Sequence, residues 1–357
     1  MENNGKITQE ERYMARCIQL AKQGKCGTSP NPMVGAVIVC DGKIIGEGYH
    51  RKCGESHAEV NAINSVKDKS KLKQSTIYVS LEPCSHYGKT PPCADLIIQK
   101  GIPKVVIGCM DPFAKVAGRG IKKLQDAGIE VTVGVLEQEC CELNKQFITF
   151  HSQKRPYVIL KWAESADGFI DLTRTGGHPV ILSSPLTNML VHKKRAEIDA
   201  VIVGTRTALL DNPVLNVRNW YGRNPLRVVI DRTLKIPEDF HLLNNKISTW
   251  VITEKEHQDN SQTKYKIMQF TDQLLPQILA ELHKNNIQSV LVEGGSVLLQ
   301  SFINKDLWDE AFIEKTTIKL NSGVKAPFIS GKDYSIKTHF NTPIWHYFNE
   351  NEASILL

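Results

Sequence analysis

Apolar positions along the chain alternate between a spacing of three to four residues and a spacing of two, the pattern of helices interleaved with strands. Thr8-Gln9-Glu10-Glu11 is a capping box, and Met14, Cys17, Ile18 and Ala21 follow at helical spacing, so a first helix ends near Gly24. Val34 to Cys40 is a continuous apolar strand, Asp41-Gly42 a hairpin turn, and Lys43 to Tyr49 the returning strand. His57 opens a helix that reaches about Val66. Thr76 to Ser80, Lys104 to Gly108 and Ile129 to Val135 read as strands, with helices over Cys93 to Lys100 and Ile121 to Ala127. This order predicts an α/β sandwich with its functional residues at strand ends.

Glu137 to about Lys154 is polar and reads as a connecting helix and linker, which puts a boundary near residue 150. Two domains, 1–150 and 151–357, suit a chain of 357 residues. Beyond the boundary, Pro156 to Ala163, Asp199 to Gly204, Leu226 to Asp231, Thr249 to Thr253 and Ser289 to Glu293 read as strands. Helices fall near Pro185 to Ala196 and Leu274 to Lys284. The second half is again α/β, without an evident repeat of the first. The stretch after residue 331 carries no informative pattern.

Composition narrows the function classes. A net charge of +6 arises from 44 basic and 38 acidic residues spread along the chain, which suits a phosphorylated small molecule. No basic run interleaved with aromatics argues for nucleic acid, and no window of ~20 apolar residues argues for a membrane span. Nine cysteines, and a start (Met1 to Lys6) without an apolar stretch, imply a reducing cytoplasm. Cys140-Cys141 reads as an ordinary thiol pair on a helix, without an activating partner.

The chemistry concentrates in His57-Ala58-Glu59 and the run from Pro83-Cys84 to Cys93. One imidazole and two thiols supply three ligands for tetrahedral zinc and leave the fourth position open, whereas a structural site is closed by a fourth side chain. Glu59 is placed to carry protons beside it, so the set reads as a hydrolytic deaminase. A His-x-Glu triplet alone is a weak signal, and the cysteines taken alone also fit a structural zinc knuckle or buried thiols. Zinc deaminases commonly place two residues between the cysteines; here eight intervene, so the loop has room to hold substrate as well. His57 and Cys93 both fall at helix starts, where unpaired N–H groups favour thiolate. Asn31, between Pro30 and Pro32, can read a heterocycle edge with its amide, or simply make a turn.

In the second half, Val290-Leu291-Val292-Glu293-Gly294-Gly295-Ser296 runs from a strand through paired glycines into a helix, a cradle for a cofactor phosphate. The same pattern is also a plain tight turn, and the Gly-x-Gly-x-x-Gly of Rossmann domains is absent.

Pro30-Asn31-Pro32-Met33-Val34-Gly35, Gly46-Glu47-Gly48-Tyr49-His50, His57-Ala58-Glu59-Val60, Leu81-Glu82-Pro83-Cys84-Ser85-His86 through Thr90-Pro91-Pro92-Cys93, and Asp111-Pro112 before Val116-Ala117-Gly118-Arg119-Gly120 resemble the deaminase half of the bifunctional riboflavin-biosynthesis deaminase/reductase family. In that family the long cysteine loop is a hallmark. Lys161-Trp162-Ala163-Glu164-Ser165-Ala166-Asp167-Gly168, Val203-Gly204-Thr205-Arg206-Thr207 through Leu210-Asp211-Asn212-Pro213, and Val292-Glu293-Gly294-Gly295 resemble its reductase half. The likeness spans about residues 8 to 330. It implies a cytidine-deaminase-like α/β/α sandwich followed by a dihydrofolate-reductase-like α/β domain. It further implies zinc held by His57, Cys84 and Cys93, Glu59 as proton shuttle, and Asn31, His50, His86 and Lys89 at the pyrimidine. NADPH would meet Ala163, Thr207, Asp211 and the Gly295-Ser296-Val297 turn, with Lys161 as the catalytic residue and Glu293, Leu215 and Arg218 at the substrate. Without the resemblance, His50 and His86 also read as solvated loop histidines, and Lys161 with Glu293 as a structural ion pair.

The implied reactions are hydrolytic deamination of 2,5-diamino-6-(5-phosphoribosylamino)pyrimidin-4(3H)-one, then NADPH-dependent reduction of the ribosyl chain of the resulting uracil. A homo-oligomer, dimer or tetramer, is implied too. Where the family carries Ser-Gly-x-Ser-x-Trp-Ile-Thr, this chain has Thr175 to Ser184 with Ile181 at the tryptophan, two extra residues before it, and Asn188 where relatives tend to carry arginine. These departures leave open a deaminase of another base with a degenerate second domain. A purely structural zinc protein is the third reading.

Overall fold

Thr8 and Glu11 close the start of α1 (Gln9–Ala21) reciprocally: the Thr8 hydroxyl accepts from the Glu11 N–H at 3.2 Å and the Glu11 carboxylate from the Thr8 N–H at 2.6 Å. The computed structural model describes residues 7–87, 91–112 and 118–349, and the chain divides into two compact units, Met1–Gln153 and Lys154–Leu357.

In the first unit the strands are β1 (Gly35–Cys40), β2 (Lys43–Tyr49), β3 (Thr76–Leu81), β4 (Lys104–Cys109) and β5 (Glu130–Val133). They form one sheet in the order β2-β1-β3-β4-β5, antiparallel across β2-β1-β3 and parallel across β3-β4-β5. Asp41 and Gly42 turn β1 into β2 with φ of 50° and 72°, the left-handed values a two-residue hairpin loop needs. Successive strand residues point to opposite faces. Ile38, Ile77, Val79, Val105 and Ile107 pack with α2 (Ala58–Ser65), α3 (Cys93–Lys100) and α4 (Arg119–Asp126). Val37, Val39, Tyr78 and Val106 pack with Met14 and Cys17 of α1. Helices on both faces make the cytidine-deaminase-like sandwich.

The polar stretch after β5 is more than a connection. It forms two helices, α5 (Glu137–Leu143) and α6 (Lys145–Gln153), and buries Cys140 in the α1 face of the core; Phe147 and Phe150 of α6 are buried as well. Asn144 between them donates to the Met33 carbonyl at 2.9 Å and accepts from the Met33 N–H at 2.8 Å, which anchors the segment carrying Asn31.

The second unit contains β6 (Tyr157–Glu164), β7 (Phe169–Asp171), β8 (Ala200–Gly204), β9 (Leu226–Ile230), β10 (Thr249–Thr253), β11 (Thr263–Ile267), β12 (Ser289–Glu293), β13 (Glu310–Lys315), β14 (Val324–Lys325), β15 (Tyr334–His339) and β16 (Thr342–Phe348). Nine of these, among the described residues, form a sheet in the order β11-β10-β9-β8-β12-β6-β13-β16-β15, parallel up to β13, with β16 and β15 added antiparallel. The helices are α7 (Pro185–Ala196), α8 (Thr205–Asp211), α9 (Leu274–Lys284) and α10 (Ser296–Asn304). Val158, Leu160, Ile202 and Val292 face α9 and α10; Ile159, Val201, Val229 and Leu291 face the opposite layer with Ala208 and Leu215. Parallel strands covered on both faces read as continuous apolar runs, which is why β6, β8, β9, β10 and β12 are legible.

Arg227, on β9, is wholly buried. Its guanidinium donates to the carbonyls of Val214, His241, Leu242 and Ile247 and to the Thr249 hydroxyl, at 2.7 to 3.3 Å. The charge is therefore solvated by main chain, and it holds the long connection between β9 and β10 against the sheet.

Candidate active sites

In the first unit three ligands converge where a strand end meets two helix starts. His57 is the N-cap of α2, Cys93 the first residue of α3, and Cys84 follows the end of β3. The His57 Nδ1 lies 3.6 Å from the Cys84 Sγ and 3.4 Å from the Cys93 Sγ, and the ligand atoms of the three all fall within 4.8 Å of one another. The Cys93 N–H points at the Cys84 sulfur at 3.3 Å. Hydrogen bonding by the Cys93 thiol holds Cys84 below the usual thiol range, with His57 adding to it, and the same contact pushes Cys93 up. The Cys84 sulfur in turn pushes the His57 imidazole up to about 9. Imidazole and thiols thus share protons around one thiolate, a donor set a divalent soft or borderline cation displaces them from. One histidine and two cysteines fit zinc with a fourth position left for another ligand.

Glu59 lies in the first turn of α2, only 3% exposed, with the Cys93 thiol hydrogen-bonded to it. Burial, followed by the charge of Cys84, pushes its carboxyl up to about 6. That is the range in which a carboxylate both takes and gives a proton near neutrality.

His50 and Asn31 form the adjacent wall. The His50 Nδ1 is 3.1 Å from the Ser56 carbonyl, and its Nε2 is 3.1 Å from the Asn31 Nδ2. A carbonyl only accepts, so Nδ1 carries the proton and Nε2 accepts from the Asn31 amide. Burial holds His50 below its usual range, consistent with that neutral tautomer. That contact fixes the Asn31 amide with its nitrogen toward His50. The His50 and His57 rings meet edge to face with centroids 5.4 Å apart. His86 is exposed beyond Cys84, and Tyr87 next to it hydrogen-bonds Asp95 at 2.7 Å. Lys89 lies outside the described residues.

In the second unit the sites gather at the C-terminal ends of β6, β12 and β13, where open α/β sheets bind ligands. Lys161 pairs in register with Glu293 of β12 and Phe312 of β13. Glu293 is taken by Arg195 rather than by Lys161: Arg195 Nε and Nη2 reach the two carboxylate oxygens at 2.7 and 2.6 Å. Burial raises the Glu293 carboxyl, but the Arg195 charge and hydrogen bonds outweigh it and leave the group below its ordinary value. Burial also holds the Lys161 ammonium below the usual lysine range, opposed by Glu293 and Glu314. Glu314, 3% exposed, accepts from the Ser183 hydroxyl at 2.6 Å and the Thr187 hydroxyl at 2.7 Å, so the altered 175–184 segment is tied into this cluster. Arg195 also donates to the Asn216 carbonyl at 3.2 Å, between Leu215, which is buried at φ 51°, and the exposed Arg218.

Gly294 and Gly295 follow β12 with φ of 82° and 76°, and α10 begins at Ser296. A Cβ on either would stand 3.0 or 3.1 Å from the Thr207 side chain, so Thr207 lies over the turn. A Cβ-free turn opening a helix fits a dinucleotide phosphate. Val297 is exposed on the first turn, and Ala163 lies two residues beyond Lys161 on the same face of β6. Asp211 ends α8 in an ion pair with Arg174, which also reaches Asp171 at 2.7 Å. Ile181 stands 80% exposed, as an open site allows.

Arg195, Glu314 and Arg174 were not legible as site residues. Arg195 sits in Lys193-Lys194-Arg195 at a helix end, which looks like ordinary compensation of the helix dipole.

Comparison with known proteins follows the same division. Residues 7–109 match the family described as cytidine and deoxycytidylate deaminase zinc-binding region, and residues 156–314 match the RibD C-terminal domain. The riboflavin biosynthesis protein RibD of Aquifex aeolicus is 42% identical over 309 residues, covering 85% of this chain and 86% of that protein. RibD of Bacillus amyloliquefaciens is 40% identical over 334 residues, covering 91% and 89%. The crystal structure of a diaminohydroxyphosphoribosylaminopyrimidine deaminase/5-amino-6-(5-phosphoribosylamino)uracil reductase from Thermotoga maritima superposes with a TM-score of 0.87 at 37% identity, covering 95% of this chain and 98% of that one. Acinetobacter baumannii RibD gives a TM-score of 0.86 at 32% identity, covering 96% and 99%.

Proposed function

The chain belongs to the RibD family of bifunctional riboflavin-biosynthesis proteins, and from that membership we propose which of its residues carry the two reactions. It is a zinc-dependent deaminase of 2,5-diamino-6-(5-phosphoribosylamino)pyrimidin-4(3H)-one and an NADPH-dependent reductase of the uracil so formed.

In the deaminase unit His57, Cys84 and Cys93 hold the zinc, whose Lewis acidity makes water nucleophilic at neutral pH. Glu59 moves the protons, taking one from the attacking water and delivering to the ring nitrogen and the departing ammonia. The observation that carries this reading is geometric: the ligand atoms of His57, Cys84 and Cys93 fall within 4.8 Å of one another beside the buried Glu59 carboxyl, which is hydrogen-bonded to the Cys93 thiol. Asn31, with one N–H given to His50, keeps its carbonyl oxygen and its second N–H for the pyrimidine edge. His50 keeps that amide oriented, and His86 and Lys89 contact the substrate from the long loop.

In the reductase unit NADPH supplies the hydride. The Gly295-Ser296-Val297 turn with Thr207 cradles its phosphate, Asp211 and Ala163 flank it, and Lys161 polarises or protonates the opening sugar. Support for Lys161 lies in its depressed ammonium and in Glu293 being engaged by Arg195, which leaves the lysine for substrate. Glu293 and Arg195 hold the sugar end, with Leu215 and Arg218 beside it and Arg218 toward the phosphate. The protein works as a homo-oligomer in a reducing cytoplasm; nine cysteines without a disulfide and the half-exposed Tyr334 and Ile336 on the edge strand β15 support this.

The test is NADPH oxidation by purified protein given the diaminopyrimidinone substrate, beside Glu59→Ala. Oxidation lost in the variant but restored by supplying the deaminated uracil is the expected result. Undiminished oxidation in the variant overturns the assignment of Glu59.

A further inference from the structure

One buried carboxylate at the metal loop has no part in the chemistry above. Glu82 is 3% exposed and follows directly on β3. Its Oε1 accepts from the backbone N–H groups of Gly120 at 2.9 Å and Ile121 at 3.3 Å, and its Oε2 from those of Gly118 at 2.9 Å and Asp111 at 3.3 Å. Its own N–H donates to the Cys109 carbonyl at 3.0 Å, extending the pairing of Leu81 with Cys109 by one step. All four donors to the carboxylate belong to chain that leaves β4 and enters α4. The side chain therefore joins the two segments that diverge from neighbouring parallel strands, in the crevice where such sheets place their sites.

The join is tight. Gly120 lies so close that a Cβ on it would meet the Pro83 carbonyl oxygen at 2.1 Å, and Gly118 enters α4 with φ 74°. Cys84, the next residue after Pro83, is held from the α3 side by the Ala94 N–H on its carbonyl at 3.2 Å and by the Cys93 N–H on its sulfur. From the other side its orientation is set through Pro83, which rests on Gly120. Four main-chain donors stabilise a buried anion only in the geometry that points all of them at it, so the carboxylate fixes a backbone path more stringently than apolar packing does.

We propose that Glu82 is a positioning residue of the metal centre: by gathering the N–H groups of Asp111, Gly118, Gly120 and Ile121 it clamps the Pro83–Cys84 turn and so aims the Cys84 thiolate and the open coordination position. The inference rests on the zinc assignment of His57, Cys84 and Cys93. Groups that orient metal ligands from behind commonly change metal affinity or activity by about 10- to 100-fold when lost.

The experiment uses the full chain loaded with cobalt(II), whose thiolate charge-transfer and d–d absorption bands report ligand geometry, together with zinc affinity measured against a competing chelator. Glu82→Gln keeps shape but turns an NH₂ group toward two of the four donors. It is expected to shift the cobalt bands, weaken zinc binding by about 10- to 100-fold, and lower the deaminase kcat more than it raises KM. Reduction of supplied uracil stays at the wild-type rate and reports on the second unit, while a wild-type circular dichroism spectrum and denaturant-unfolding profile report that the first unit is folded. Gly120→Ala leaves the carboxylate charge in place but drives a Cβ onto the Pro83 carbonyl and against the Glu82 Oε1 and Cγ, at 3.1 and 3.3 Å, and is expected to shift the bands too; it decides the matter if Glu82→Gln does not fold. Wild-type bands and zinc affinity in the variant that folds overturn the proposal. Wild-type protein whose cobalt form lacks thiolate charge-transfer bands overturns the zinc assignment instead, a distinct failure.

Discussion

The two sites are encoded differently. The deaminase ligands fall within 37 positions, from His57 to Cys93, each at a helix start or strand end, so short motifs specify almost the whole donor set. The reductase cluster gathers Lys161, Arg195, Glu293 and Glu314, which only the sheet order β12-β6-β13 and the packing of α7 bring together. One site is a property of local sequence held by a metal. The other is a property of topology held by hydrogen-bonded charge. Changes in the first should therefore abolish one reaction and spare the other, while changes in the second should act through both fold and function.

The largest expected effect is removal of a ligand: Cys84→Ser eliminates ammonia release while NADPH oxidation with supplied uracil persists. Loss of both activities would mean the units are not separable as drawn. Next, Glu59→Gln keeps the metal, as metal analysis would show, and lowers the deaminase kcat by roughly 10²- to 10⁴-fold. On the reductase side, Arg195→Met leaves Glu293 buried without its partner and should destabilise the second unit by about 3–5 kcal/mol in denaturant unfolding. An unaltered midpoint would show Glu293 to be solvated in some other way. Gly295→Ala forces a side chain into φ 76° against Thr207 and, at about 1–2 kcal/mol, should weaken NADPH binding in titration by roughly tenfold without affecting ammonia release.

The smallest effect concerns pH. The Ser165 hydroxyl, with the N–H groups of Leu320 and Asn321, holds Asp167 down to about 2. A depressed carboxyl contributes stability that is complete above its unfolded value of about 3.9 and fades as pH falls through that window. Asp167→Asn should flatten the acid limb of the stability curve between those values and lower stability at neutral pH, where the wild-type contribution is complete, by a small amount because the group is exposed.

Most of the first unit was legible because β1, β3 and β4 are buried on both faces and its turns carry their signals, as at Asp41-Gly42 and the Thr8 capping box. What escaped did so for identifiable reasons. β13 contains Glu310 and Glu314, both buried, and buried acids erase the apolar run that marks a strand. The β15–β16 hairpin turns at Phe340-Asn341 with φ of 49° and 62°, where glycine would have announced it, so the stretch after residue 331 looked featureless. α5 and α6 read as one polar connector because the break depends on Asn144 bonding to Met33, 111 positions away. The ligands and Glu59 came from motif, whereas Glu82 and Arg195 act through backbone or charge partners remote in sequence, and Arg174 joins the nearby Asp171 to the remote Asp211.

Arg227 has a consequence of another kind. Apart from the Thr249 hydroxyl, everything it grips is a main-chain carbonyl, and every residue type presents the same one. Outside Ile236 and Leu242, which are buried in the core, and Leu234, Phe240 and Leu243, which pack against it, the connection between β9 and β10 is thus free to drift in side-chain identity over evolutionary time, yet constrained in length. A single insertion or deletion between His241 and Ile247 would move carbonyls off the guanidinium and strand a charge in the core, so homologous chains should vary in the letters of this stretch far more than in their number.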